Sequence, residues 1–159
     1  EQTLRQAAAH FVEAREKEGE HLFLDLNEKL DGIEKMVCDV EKRSPEMMEE
    51  YRSRITEKVE ELLGDKNIDE RVLATELTIY ADKVCVDEET VRLHSHIKNM
   101  RDTLKLGDNI GRKLDFIAQE MNRESNTILS KANDRALSNI AIDLKTEIEK
   151  VREQIQNIE

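Results

Sequence analysis

The sequence predicts an all-α protein, a bundle of about six helices with a long protruding N-terminal helix. Three observations carry that prediction. Glycine and proline are scarce, 5 and 1 in 159 residues. Charged residues make up 38% of the chain, as the solvated faces of long helices require. Apolar residues recur three and four apart along most of the length, and no strand-like alternation competes with them. The length suits one domain with a real core. Residues 1–68 read as a long helix and a helical hairpin, and residues 69–159 as the helices that bear the motifs.

In the first helix, Leu22, Leu26, Leu30, Ile33, Val37 and Val40 fall on one face, and Leu4, Ala8 and Phe11 extend the stripe backwards. The run REKEGE, residues 15–20, interrupts it and predicts a solvated stretch. An unbroken helix of about 38 residues is about 57 Å long, whereas a compact domain of this size has a radius of gyration of about 15 Å. The helix must therefore protrude, which points to an oligomer or to a further domain. Because Glu1 is not a methionine, the chain is expected to be a piece of a longer protein. Self-association is expected through the 22–40 stripe or through the C-terminal one.

The stretch RSPE predicts a stop and restart, with Ser44 as cap and Pro45 at the first position of a second helix. Met48, Tyr51, Ile55, Val59 and Leu62 carry that helix, which Gly64 ends. A third starts near Asp69 and runs through Leu73, Leu77 and Tyr80 towards Val84. Asp87 is read as the cap of a fourth, with the stripe Leu93, Ile97, Met100 and Leu104, ended by Gly107. A fifth, from Gly111, turns Leu114, Ile117, Met121 and Ile128 inward. The sixth begins near Asp134 and continues through Ile140, Leu144, Ile148, Val151, Ile155 and Ile158.

No apolar run approaches the ~18 residues of a membrane span, so a soluble protein without a membrane partner is expected. Cys38 and Cys85 form no CxxC pattern and predict two reduced thiols in a cytosolic protein. The net charge of −11 argues against nucleic acid, but its distribution softens that argument. The first 110 residues hold 17 Lys/Arg against 27 Asp/Glu, and the rest hold eight against nine.

The predicted fifth helix differs from its neighbours in spending amides where they spend Lys and Glu. Asp115, Gln119, Asn122 and Asn126, four, three and four apart, make one continuous polar stripe. Such groups on a rigid helix can bind a hard cation through oxygen, or hold phosphates and sugar hydroxyls together with Arg123. They can equally form a polar interface within a bundle. On the fourth helix Glu89, Arg92 and His96 flank the apolar stripe. A histidine near a glutamate suits acid–base chemistry or metal ligation, and also an ordinary surface ion pair. His94 points roughly 160° away from His96 and reads as surface; His10 and His21 have no partner pattern. There is no phosphate-binding glycine loop, HExxH, paired CxxC or nucleophile elbow. Aromatics are 3% with no tryptophan, so any handling of RNA must rest on backbone and sugar contacts rather than base stacking.

EETVRLHSH (residues 88–96), GRKLDFIAQEMNRESNT (111–127), Ser130 and Lys131, and the closing REQIQNIE (152–159) resemble the C-terminal half of the YicC family. The likeness is ordered and correctly spaced over residues 71–159 and looser before. It implies a cytoplasmic endoribonuclease acting on single-stranded RNA, dependent on a divalent cation, Mg²⁺ or Mn²⁺, and assembled as a hexameric ring with an N-terminal domain that this chain lacks, while the scarce aromatics predict little sequence preference. On that reading Glu89, Glu120 and Glu124 hold the metal, and His96, Glu120 and Glu124 are catalytic. Arg92, Arg112, Arg123, Asn122, Asn126 and Lys131 bind RNA. A variant has His96 deprotonate the 2′-hydroxyl with no metal in the chemical step. One departure stands out: where the family commonly has Asp before the paired glutamates, this chain has Cys85, in KVCVDEE. The alternative is a non-catalytic oligomerisation and RNA-docking module, with cleavage in the absent domain.

Overall fold

A computed structural model describes residues 2–63, 70–107 and 110–156, apart from the side chains of residues 2, 4, 5, 7 and 63. Within them the chain is all-α, with helices α1 (Gln2–Leu63), α2 (Glu70–Val84), α3 (Asp87–Leu104), α4 (Gly111–Lys131) and α5 (Arg135–Ile155). The expected boundary residues Gly64 and Asp69, and the stripe positions Leu4 and Ile158, lie outside what is described.

There are five helices among the described residues rather than about six, because the first two predicted helices are one. α1 has 62 residues with Pro45 inside it, about 93 Å at ~1.5 Å per residue. Pro45 cannot donate to the Glu41 carbonyl and its ring crowds that carbonyl. Packing on both sides overrides the local break: Val37 and Val40 before it and Met47 after it are all buried. The Arg43 guanidinium also donates across the proline to Glu46 and Glu50, and sideways to Asp134 at 2.9 Å.

The bundle proper has four helices. The middle of α1 packs against α3 and α5, and α4 packs against the same two from the other side. Ion pairs fix the directions. Arg101 reaches Asp31 and Glu34 while His94 reaches Glu41, so α3 runs antiparallel to α1. Leu30, Ile33, Leu93, Ile97, Leu144 and Ile148 are fully buried, each burial favouring the fold by about 1.5–3 kcal/mol. The two stripes expected to drive self-association are thus largely covered by the chain's own core.

Every described side chain before Leu22 is exposed, so α1 does protrude, and Phe11 faces solvent. At the other end α2 folds back on α1 as a hairpin, with Tyr51 and Tyr80 stacked 3.5 Å apart. Burial, then the bond from its hydroxyl to Glu76 at 3.2 Å, pushes the Tyr51 phenol up.

Helix entries follow less uniform rules. Asp134 caps α5, accepting from the Leu137 amide at 2.7 Å. Asp87 does not cap α3: it lies within the first turn, and Val86, fully buried, holds the cap position without a side-chain bond. Asp87, Glu88 and Glu89 instead place negative charge at the positive end of the helix dipole. After α3 the chain reverses through Gly107, whose φ of +74° suits only glycine without strain. No helix among the described residues is long and apolar enough to cross a membrane.

Candidate active site on the seam of α3 and α4

Most of the predicted site lies on α4, and the helical period sorts it onto three faces. Leu114, Ile117, Met121 and Ile128 enter the core. Glu120, Glu124 and Lys131 lie along the edge facing α3. Asp115 and Asn122 lie along the edge facing α5. Gln119, Arg123 and Asn126 look outward between the two edges.

On the α3 edge two glutamates are 5% exposed, Glu89 and Glu124. Burying a carboxylate is costly unless a cation and hydrogen bonds accompany it. Lys131 supplies both to Glu89, donating to its Oε1 at 2.7 Å and to the Cys85 carbonyl at 2.9 Å. The second contact uses the backbone, so a cysteine at position 85 does not remove it. Arg92 lies 3.6 Å from Glu124 and donates to the exposed Glu88 at 3.1 Å. These pairings join the start of α3 to the end of α4, so the two helices are antiparallel.

One turn further along α3 is His96, and one turn back along α4 is Glu120, so helical register continues the same seam through them. Both are partly buried, and neither has a hydrogen-bond or ion-pair partner among the described residues. The seam therefore pairs its buried carboxylates and, among the described residues, leaves His96 and Glu120 without a partner.

The amide stripe goes elsewhere. Asn122 donates to Glu149, and Arg152 donates to Asp115 at 3.0 Å, while Gln119 donates back to Asp115 at 2.7 Å. Half of the stripe is thus the polar interface with α5, as the sequence also allowed. The remainder, Gln119 and Asn126, lines a shallow depression with Arg123, Thr127 and Ser130, and Asn122 lies at its edge. Arg112, at the start of α4, is exposed and about 18 Å from Glu124 along the helix, too far to grip the same phosphate.

Glu89, Glu120 and Glu124 do not converge on one point: among the described residues their carboxylates form no three-ligand group. A cation there would have to displace Lys131 or Arg92. The seam therefore does not fit a preformed three-carboxylate metal centre. Sequence reasoning also passed over His94, which sits beside Cys38, Glu41 and Glu34 of α1. The spacing of Glu34, Cys38 and Glu41 on one helical face was the available signal, but only the fold brings His94 to them.

Residues 40–159 match the family described as endoribonuclease YicC-like, C-terminal. The chain belongs to that family. It is similar to the probable endoribonuclease YicC of Clostridioides difficile, 44% identical over 99% of this chain and 54% of the relative. It is similar also to the probable endoribonuclease YicC of Haemophilus influenzae, 38% identical over 94% of this chain and 51% of the relative. The chain spans about half the length of these curated relatives. The YicC-like match covers α2 to α5 and α1 from Val40 onward, and so the whole α3–α4 seam, while the stretch of α1 from Leu26 to Val37 that enters the bundle precedes it.

Proposed function

We propose that the chain is the helical half of an endoribonuclease that cuts single-stranded RNA with little sequence preference. One observation carries this reading. On the α3–α4 seam of a YicC-like chain, His96 and Glu120 are partly exposed, have no partner among the described residues, and lie one helical turn from Arg92 and Glu124. His96 takes the proton of a ribose 2′-hydroxyl, and the 2′-oxygen attacks the adjacent phosphorus. The P–O5′ bond breaks and the leaving oxygen takes a proton from water. Glu120 stabilises the imidazolium as it forms. Arg92 and Lys131 neutralise the phosphate, with Glu124 and Glu89 fixing their positions. Arg123 and Asn126 on the outer face hold neighbouring backbone, with Asn122 at its edge, and Arg112 meets RNA further along. Scarce aromatics favour weak sequence preference.

Dependence on Mg²⁺ or Mn²⁺ belongs to the proposal, with the cation's ligands completed outside the paired carboxylates of the seam. A hexameric ring in the cytoplasm, which would multiply the few cationic groups of each chain, belongs to it as well. Cleavage by the full-length protein should fall at least 100-fold with His96→Ala, and the wild-type product should end in a 2′,3′-cyclic phosphate. Chelation should stop cleavage and Mn²⁺ should restore it. Products ending in 3′-hydroxyl and 5′-phosphate would overturn the role of His96.

A second reading, a docking module without its own chemistry, is favoured by the acidic excess of the first 110 residues. It would be supported if a His96→Ala, Glu120→Gln double variant assembled normally and cleaved at the wild-type rate.

A further inference from the structure

Away from that seam, on the opposite side of α3, three side chains of different chemistry meet. Cys38 and Glu41 lie three residues apart on α1, and His94 reaches them from α3. One ligand atom from each, the cysteine sulfur, a carboxylate oxygen and an imidazole nitrogen, lies within 4.8 Å of the other two. His94 Nε2 is 3.1 Å from Glu41 Oε1.

Behind the histidine stands a fourth residue. Glu34, one turn before Cys38, has Oε1 3.8 Å from His94 Nδ1. Its other oxygen accepts from Arg101 at 2.8 Å, which fixes the carboxylate beside the ring. At 3.8 Å the contact is longer than a hydrogen bond, but a small side-chain rotation would give His94 Nδ1 the carboxylate partner that orients metal-bound histidines.

From these residues we infer a zinc site at the α1–α3 seam, with Cys38 Sγ, Glu41 and His94 Nε2 as ligands and a water in the fourth position. With zinc bonds of about 2.0–2.3 Å, tetrahedral ligand atoms stand roughly 3.3–3.6 Å apart, so modest side-chain rotation within the trio, which already lies within 4.8 Å, closes the set. Cys38 gives its proton to solvent on binding. A thiolate and an imidazole select zinc over Mg²⁺, which prefers an all-oxygen octahedron. The ion ties α1 to α3 within the bundle, and its ligands are separate from every residue assigned to RNA cleavage.

Cobalt(II) tests the site because a cobalt–thiolate bond gives a charge-transfer absorption in the near ultraviolet that carboxylates cannot give. The reduced, metal-free chain should develop this band, saturate at one Co²⁺ per chain and lose the band on adding Zn²⁺. Cys38→Ser should abolish it and Cys85→Ser should leave it intact. His94→Asn should weaken zinc binding at least 100-fold and Glu34→Gln by 10–100-fold, with circular dichroism confirming that each variant is helical. Zinc should also raise the thermal midpoint of the wild type and not that of Cys38→Ser. Absence of the band, its survival in Cys38→Ser, or zinc affinity unchanged in His94→Asn would overturn the assignment.

Discussion

Lys131 and Glu89 form a pair that ties the last turn of α4 to the first turn of α3. The ammonium donates to Glu89 Oε1 at 2.7 Å and at the same time to the Cys85 carbonyl. Glu89 Oε2 is buried without a partner, so the lysine is the group that makes burial of this carboxylate tolerable. Lys131→Met should therefore destabilise the chain by about 1–3 kcal/mol, less than the loss of a fully buried pair because Lys131 keeps some exposure. Adding Glu89→Leu should recover most of that loss. Urea unfolding followed by circular dichroism reads both, and an unchanged midpoint in Lys131→Met would show the pair to be screened by water.

Pro45 offers a test of the continuous α1. Where it stands the helix lacks one backbone bond, and alanine would restore the donor to the Glu41 carbonyl. Pro45→Ala should raise stability by about 1–3 kcal/mol, up to the propensity difference between the two residues. Loss of stability would mean that the proline starts a helix, as the local sequence suggests.

Acid should loosen the clamp around that proline. The hydrogen bond from Arg43 holds the Glu50 carboxyl below its usual 4.5, so the folded state favours the ionised form. That contribution is present above the unfolded pKa and is lost as pH falls through the lowered folded value. The thermal midpoint of Glu50→Gln should lie below wild type at neutral pH and meet it in acid. A gap that stays constant down to pH of about 3 would remove the charge from the explanation.

Asn122 and Arg123 are neighbours in sequence but should behave differently. Asn122 donates to Glu149 across the α4–α5 interface, and Asn122→Ala should cost about 1 kcal/mol. Arg123 is exposed, so Arg123→Ala should change stability by less than about 0.5 kcal/mol. In the full-length protein it should weaken RNA binding and reduce the salt dependence by about one ion. Unchanged RNA affinity would take Arg123 out of the binding face.

The sequence by itself determined the helices, their inward faces and the residues worth examining. The 3.6-residue period is a one-dimensional signal of which side meets water, so Leu93, Ile97, Leu114 and Ile148 could be read as core without knowing what they touch. The start of the last helix near Asp134 was legible too, and the cap found there is a local bond to an amide three residues on. Pro45 was misread because a local rule was overridden by Val37, Val40 and Met47 packing on either side. Only the tertiary structure decided which neighbour covers each edge of α4. A stripe on one helix does not say which helix it meets, so Asp115 and Asn122 turned to α5 while Glu124 and Lys131 turned to α3. For the same reason His94, surface by its own pattern, meets Cys38 and Glu41. Contacts between residues more than fifty positions apart arise when helices pack, and no periodicity along the chain records them.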